Sequence, residues 1–212
     1  MFLTFVVLQF KRNAAIILIL IIIGLVVFSI NFYRDPQRSI PTDKNIIISP
    51  ADGKVIAIDT VQDGEIPFTI KNSEIIYLPE LKGIIEGNFT MVSIFMGLFD
   101  VHVNRAPISG QVIDIIYIEG GHLPAFGNVI IENERNIVVI DGDVRTVTVQ
   151  IAGTVARRID CYVDEGQILD RGDKIGIIKL GSQVVVMYPS NASTIIKIGE
   201  NVKAGETIIA EI

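Results

Sequence analysis

The hydrophobic rhythm of this chain changes once, near residue 33. From Ala14 to Phe32 runs a stretch of 19 residues without a charge, 14 of them Ile, Leu, Val or Phe. That is about the length of helix that crosses a ~30 Å hydrocarbon core. The pattern predicts one transmembrane helix over about 14–32. Met1–Phe10 is also apolar but too short to span as a helix, and Lys11-Arg12 separates it from the longer run. A cleaved signal peptide opens on basic residues and ends on small ones. Here the extreme N-terminus is apolar, so the expectation is a retained anchor, residues 1–35, with Met1–Phe10 lying in the membrane interface. Basic residues flank the run on both sides (Lys11, Arg12; Arg34, Arg38), which leaves its sidedness open.

Beyond the anchor the period shortens. Pro36 and Pro41 bracket a polar linker, 36–44. From Asn45 to the end, short β-branched runs alternate with glycine: Lys54–Ile58, Met91–Phe95, Gln111–Ile118, Asn136–Ile140, Arg145–Ile151, Ile175–Leu180. No segment after Pro36 keeps a helical period, so 45–212 reads as one mainly β domain, a sandwich or barrel. Two internal matches refine this. Pro50-Ala-Asp-Gly53-Lys-Val55 resembles Pro107-Ile-Ser-Gly110-Gln-Val112, and Gly166…Gly172-Asp-Lys-Ile175 resembles Gly199…Gly205-Glu-Thr-Ile208. Repeated units of this kind occur in barrel-sandwich hybrids. Two copies of each are too few for a solenoid.

Composition narrows the chemistry. The chain has 212 residues, 50% hydrophobic, with net charge −6. Its mean hydropathy of +0.50 owes much to the N-terminal run. A net negative charge gives no nucleic-acid footprint. A single cysteine, Cys161, rules out an internal disulfide framework and a cysteine-based zinc site. The two histidines, His102 and His122, have no Cys or His at ligand spacing, so no metal is expected.

Four features carry candidate chemistry. Gly181-Ser182 interrupts the strand-like run Ile177–Val186. A Gly-Ser pair there is either a plain β-bulge or a bond whose carbonyl the following hydroxyl can attack. Pro50-Ala-Asp52-Gly53 taken alone is a turn, since Asp-Gly is a common turn pair. Asp100-Val-His102-Val-Asn-Arg105 follows an apolar strand, where catalytic side chains are often presented. His102 is equally readable as a structural, hydrogen-bonded histidine. Gly120-Gly-His122 to Gly127 is a glycine-rich excursion, either a lid over a lipid substrate or a long loop, and a lone His122 there is more often solvated than catalytic.

In order along the chain stand Phe32-Tyr-Arg-Asp-Pro36, Pro50-Ala-Asp-Gly53, Asp100-Val-His-Val-Asn-Arg-Ala-Pro107, Glu132-Asn-Glu-Arg-Asn136, Gln150-Ile-Ala-Gly-Thr-Val-Ala-Arg-Arg158 and Lys179-Leu-Gly-Ser182. This succession resembles the short form of the phosphatidylserine decarboxylases, including their archaetidylserine-directed relatives. The resemblance implies a proenzyme. Ser182 would attack the Gly181 carbonyl, and the ester so formed would eliminate and lose ammonia. A pyruvoyl group would then head a small subunit reaching Ile212, with Met1–Gly181 as the large subunit. That carbonyl would form a Schiff base with the serine amine and act as electron sink for decarboxylation. No nucleotide or metal would be needed. Asp52 and His102 match the family's Asp–His pair that assists the serine, with His102 also a proton donor in turnover. Larger members carry a second histidine where this chain has Arg105, and Gly-Ser-Gln replaces the commoner Gly-Ser-Thr or Gly-Ser-Ser.

The expected substrate is a serine phospholipid at the cell membrane, diacyl or archaeal ether. Arg105, Arg157, Arg158 and His122 are candidates for its headgroup, because guanidinium pairs well with phosphate; at least one of Arg157 and Arg158 is expected to be merely solvated. A homo-oligomer is compatible with the sequence. The rival reading is a membrane-anchored barrel-sandwich adaptor or carrier without enzymatic activity. An adaptor of that kind usually inserts a helical hairpin, and none is legible here. A carrier needs a modified lysine at a hairpin tip, for which Lys203 is the one tempting position, without the expected flanking residues.

Overall fold

The computed structural model describes residues 2–71, 74–84, 86–120, 134–153, 158–179 and 182–212. The chain divides into two units, Met1–Arg34 and Asp35–Ile212. The first is a single helix, α1, Phe2–Phe32. It starts a dozen residues earlier than the apolar run predicts. Lys11 and Arg12 are good helix formers, so a charge pair interrupts the hydrophobicity without interrupting the backbone. Within it Gln9–Phe32 is long and apolar enough to cross a membrane, with an 18-residue window of mean hydropathy 3.0. Its Ile, Leu and Val side chains from Ile16 to Ile30 are exposed on every side. A helix apolar all round is matched to a core or to lipid rather than to water. At its end Arg34 Nη1 donates to the Asn31 carbonyl (2.7 Å), covering one of the acceptors a helix leaves open.

The second unit is mainly β, as the alternation predicts. Its strands are β1 (Ile46–Ile48), β2 (Gly53–Val61), β3 (Phe68–Lys71), β4 (Glu74–Tyr77), β5 (Phe89–Met96), β6 (Val103–Arg105), β7 (Gly110–Ile118), β8 (Arg135–Gly142), β9 (Arg145–Ile151), β10 (Arg158–Cys161), β11 (Ile168–Leu169), β12 (Lys174–Lys179), β13 (Ser182–Pro189), β14 (Ser193–Thr194), β15 (Asn201–Val202) and β16 (Ile208–Glu211). Eight of them form one sheet in the order β11-β7-β8-β9-β13-β5-β2-β15. Two three-stranded sheets, β1-β16-β14 and β10-β12-β6, and the hairpin β3-β4 complete it.

The middle of the large sheet is covered on both faces. One face carries Val92, Ile94, Met96, Val138, Ile140, Val184 and Val186, packed with Ile175 and Ile178. The other carries Met91, Ile137, Val139, Val147, Val149, Val185 and Met187, packed with Leu78 and Leu81. Consecutive residues of β13 therefore enter opposite cores. This is why its sequence is a continuous apolar run rather than an alternation. Each buried Val or Ile contributes roughly 1.5–3 kcal/mol.

The internal matches are structural. β2 and β7 each open on the matched glycine and each shifts register at the same place, Val55/Ala57 and Val112/Asp114. β15 pairs with β2 through Asn201↔Lys54, and β11 pairs with β7 through the matched Ile168↔Gln111. The hydrogen bonds repeat as well: Val55 N donates to Glu200 O (2.9 Å), Val112 N to Gln167 O (2.8 Å). Gly205 N reaches Ser49 O and Gly172 N reaches Ala106 O, both at 2.9 Å. Two copies of one strand-and-hairpin unit are thus built into one sheet. Gly53 and Gly110 are essential to it. A Cβ at Gly53 would lie 2.2 Å from the Phe95 carbonyl oxygen, and one at Gly110 2.4 Å from that of Asp141. Backbone atoms have nowhere to go. Gly53→Ala and Gly110→Ala are each expected to lower stability by about 2 kcal/mol or more. Chemical denaturation of the two variants checks this, with Lys54→Ala on the exposed face of β2 as the near-neutral control.

Candidate functional site

Two connections cross between the same pair of sheets. β5 leaves the large sheet at Met96 and re-enters as β6 in the small sheet with β12. β12 leaves that small sheet at Lys179, and the next described residue, Ser182, opens β13 in the large sheet. Because β13 pairs with β5 and β12 with β6, both connections lie at one corner. Sequence candidates 80 positions apart, His102 and Ser182, are brought to that corner by pairing alone.

The first connection is tightly made. The Gly97 N–H donates to Asp100 Oδ2 (2.8 Å), and the Asp100 N–H donates to the Gly97 carbonyl (3.1 Å). His102 follows, fully buried. Its carbonyl accepts from the Ile178 N–H at 3.3 Å. Its Nδ1 is 2.9 Å from the Asp100 carbonyl oxygen. A carbonyl only accepts, so Nδ1 carries the proton, and in the neutral ring Nε2 is the basic nitrogen.

Ser182 stands opposite Met96 in the ladder. Directly paired residues point to the same face, so its hydroxyl joins Met96 on the face of Ile94 and Val184. The side chain is fully buried, and Oγ has no hydrogen-bond partner among the described residues. Leaving a buried polar atom unpaired costs about 1–3 kcal/mol. Such sites call for a reason.

Asp52 is in the turn that the Asp-Gly pair predicts, just before β2. The turn touches both crossing strands: Gly53 packs on the Phe95 backbone, and the Arg105 N–H donates to the Pro50 carbonyl (2.9 Å). The carboxylate is occupied. Arg38 Nη2 reaches both of its oxygens at 2.9 Å, and the Ala204 N–H donates to Oδ1 at 2.8 Å. In the matched repeat Ser109 takes the place of Asp52 and accepts from the Arg171 N–H at 2.9 Å. Asp52 thus does a turn-closing job that its counterpart does without charge.

Arg105 is largely buried and doubly engaged. Nη1 donates to the Gly172 carbonyl (2.8 Å) and Nη2 to Asp35 Oδ1 (2.5 Å). Lys174 Nζ takes the other Asp35 oxygen at 2.6 Å. These groups border an open cleft of about 430 Å³, lined also by Arg38 and Arg171. Burial pushes the Asp35 carboxyl up, but the Lys174 bond and the two neighbouring cations outweigh it and hold the pKa below its ordinary value. Gly181, His122 and Arg157 lie outside the described residues. Arg158 is exposed on β10.

One buried set was not singled out from the sequence. Asn136 Nδ2 donates to Gln150 Oε1, and Gln150 Nε2 to Asn104 Oδ1, both at 2.8 Å. Asn104 Nδ2 in turn meets Met96 Sδ at 3.8 Å. All three amides sit inside the motifs quoted above, at strand positions facing the core. Only Asn136 leaves a sequence signal, an amide in step with the apolar Val138 and Ile140; Asn104 is in step with His102, and Gln150 with Thr146 and Thr148, so both read as ordinary polar positions. Among the described residues no group of three or more His, Cys, Asp or Glu could hold a metal ion.

Residues 25–210 match the family model described as phosphatidylserine decarboxylase. A protein of Methanocaldococcus jannaschii named an archaetidylserine decarboxylase proenzyme is 45% identical over 189 residues, 88% of this chain and 91% of its own. A Burkholderia pseudomallei protein named phosphatidylserine decarboxylase proenzyme is 42% identical over 191 residues, 89% of this chain and 80% of its own. Among solved structures, glucose permease IIA from Mycoplasma capricolum superposes over 78% of this chain and 93% of its own, with TM-score 0.41 and 15% identity, too slight a likeness to bear on function.

The Asp35 cluster makes a measurable prediction. A carboxyl whose folded pKa is depressed adds stability above its unfolded value, near 3.8, and loses it as pH falls through the lower folded value. Asp35→Asn should therefore be less stable than the wild type at pH 7, and the gap should close as pH falls below that range. Urea unfolding at a series of pH values gives the answer.

Proposed function

From its place in the phosphatidylserine decarboxylase family, to which this chain belongs, we propose that it is a self-processing, pyruvoyl-dependent enzyme that releases carbon dioxide from a serine phospholipid. The observation that carries the reading is the Ser182 hydroxyl: buried, unpartnered among the described residues, and first in a central strand immediately after the bond it would attack. The matched family includes relatives named as proenzymes, which fits a chain that must be cut before it works.

The geometry supports the following roles. Ser182 is the nucleophile and needs a base, since a serine hydroxyl is weak unassisted. His102 is the candidate at the same corner; with Nδ1 bonded to the Asp100 carbonyl, Nε2 would be the nitrogen that exchanges the proton. Asp52 acts through the turn. Bonded to Arg38 and Ala204, its carboxylate fixes the segment that abuts both crossing strands. The pyruvoyl group would supply a carbonyl that takes up the substrate amine and accepts electrons as carbon dioxide leaves. After that loss a proton must be delivered, and His102 is placed to hold one. Arg105 is committed to Asp35 and Gly172, so its contribution to a phosphate headgroup would be as part of the cationic rim of the cleft. α1 would hold the enzyme at the bilayer that contains its substrate, raising local concentration rather than contributing to the chemistry.

Intact mass under denaturing conditions tests the central step. The wild-type chain should give two fragments divided between Gly181 and Ser182, the smaller one blocked at its N-terminus. Ser182→Ala should give one uncut chain without decarboxylase activity, and cutting in that variant would sink the mechanism. His102→Ala should slow cutting by about 10²-fold or more, the usual worth of a proton-transfer group. Asp52→Asn should cut more slowly than wild type and also be less stable. Normal maturation in both would remove these two residues from the site. The fragments should co-elute in native chromatography, because the small one holds a strand paired on both sides.

A further inference from the structure

We infer that the turn Gly97–Asp100 is a docking tip that sinks Leu98 and Phe99 into the lipid surface and so brings the corner of His102 and Ser182 to the depth of the headgroups. What the insertion is for rests on the phospholipid reading above. The turn is tight. The Asp100 N–H donates to the Gly97 carbonyl at 3.1 Å, which makes Leu98 and Phe99 its two central residues, and Asp100 Oδ2 accepts from the Gly97 N–H at 2.8 Å. Turns are ordinarily built of Gly, Pro, Asn, Asp and Ser. Here the centre holds two large apolar side chains, 52% and 76% exposed. Phe95, the one exposed residue of β5, adds a third at 43%.

The fold does not require them. Lys54 and Gln111 are matched positions in the two copies of the repeat. Lys54 pairs with Phe95, and Gln111 pairs with Asp141. The second copy then turns through Gly142-Asp143-Val144, and Asp141 forms an ion pair with Arg145 at 3.0 Å. One frame is thus closed with charge in one half and with Phe95, Leu98 and Phe99 in the other. Clustered apolar side chains left at the surface mark a contact.

A bilayer suits this contact better than a protein. A stable protein interface buries about 1,200–2,000 Å² in total, with about 20–30 residues on each side. Three side chains about one turn do not supply that, whereas acyl chains accept them without a matching shape. The charges agree. Lys54 is exposed and shares the face of Phe95, and Arg158 is exposed opposite Lys179, the last described residue before Ser182. Both cations suit a layer of phosphates. The acids nearby are engaged, Asp100 with the Gly97 N–H and Asp160 with Lys179 Nζ at 2.7 Å. Met96, the partner of Ser182, is three residues before Phe99 and His102 three residues after it. Each is therefore within about 11 Å of Phe99 along the backbone. A headgroup layer is about 5–8 Å deep. With Phe99 at its inner boundary, the corner is within reach of a serine headgroup.

The chain contains no tryptophan, so Phe99→Trp gives the full chain a single reporter at the tip. The variant is reconstituted in vesicles of mixed phosphatidylcholine and phosphatidylglycerol. Its emission should shift to the blue and resist iodide. Lipid brominated high on the acyl chain should quench it more than lipid brominated at the chain end, since interfacial segments sink about 5–10 Å. Ile168→Trp is the control. Ile168 is 79% exposed and pairs with the start of β7, while the far end of β7, Ile118, aligns through Arg135 and Ile151 with Gln183. It therefore stands at the end of the sheet away from Ser182, and a tryptophan there should emit in the red and be quenched by iodide. Red, iodide-quenched emission from Phe99→Trp overturns the inference. So does blue emission that brominated lipid leaves untouched, because a protein, a second copy included, would then cover the tip. Equal quenching of Ile168→Trp by brominated lipid overturns it as well. If Phe99→Trp does not fold, Leu98→Trp is judged by the same criteria. The Ser182→Ala chain should give the same quenching, since insertion needs no cut. A chain that inserts but never cuts or releases carbon dioxide brings down the function proposed above and leaves the docking tip standing. One that cuts and decarboxylates with its tip in water brings down this inference alone.

Discussion

Everything in the β unit depends on β13 being hydrogen-bonded along both edges. It runs antiparallel to β5 on one side and β9 on the other, and it sends alternate residues into two separate cores. A strand so held cannot slide, because a shift of one residue would exchange the two faces. That constraint sets the place of Ser182. Ser182 is the first described position of that strand, so its hydroxyl is fixed by the sheet. The register that buries Val184 and Val186 is the same register that sets Ser182 beside Met96.

Around that strand the duplicated halves do different work with one plan. Each begins with a glycine-led strand and ends with a hairpin whose N–H groups are capped by a side chain from the opening turn. In one half the cap is Ser109; in the other it is Asp52, and the added charge draws in Arg38. The cap is structural in both copies, and only the Asp52 copy carries a charge there. Likewise Arg105 is matched by Ile48, an apolar residue, so the Asp35–Arg105–Lys174 cluster belongs to one half alone.

Much of this was legible in the sequence. The glycine-punctuated β-branched runs predicted a mainly β unit, and the two internal matches predicted repeated turn-to-strand and hairpin units; that the strand pairs with the hairpin in each copy, with a register shift at the matched place, came from the structure. The apolar run predicted α1, though its start was misplaced because hydropathy tracks burial in lipid and not helix propensity. Gly181-Ser182 was visible because glycine and serine are out of place in a buried strand. What sequence could not give was partnership. Nothing in the spacing of Asp52 says that its carboxylate faces Arg38, fourteen residues away, and the backbone of Ala204. The amides of Asn104, Gln150 and Asn136 are far apart along the chain, and Asn104 and Gln150 read alone as ordinary polar residues. Only the stacking of the small sheet over the large one makes them a relay.

The enclosure of β13 also bears on how the mature protein persists. If the chain is cut as proposed, the segment from Ser182 to Ile212 falls below the roughly 40 residues that can fold unaided. While it remains woven between β5, β9, β2 and β1 it has no route out. If the whole unit then opened, the two pieces would have to find each other again by diffusion. The uncut chain could unfold and refold as a single chain at equilibrium; the cut one could not. On the self-cleavage reading, the lifetime of the cut form would therefore be set by the height of an unfolding barrier and not by a balance of free energies.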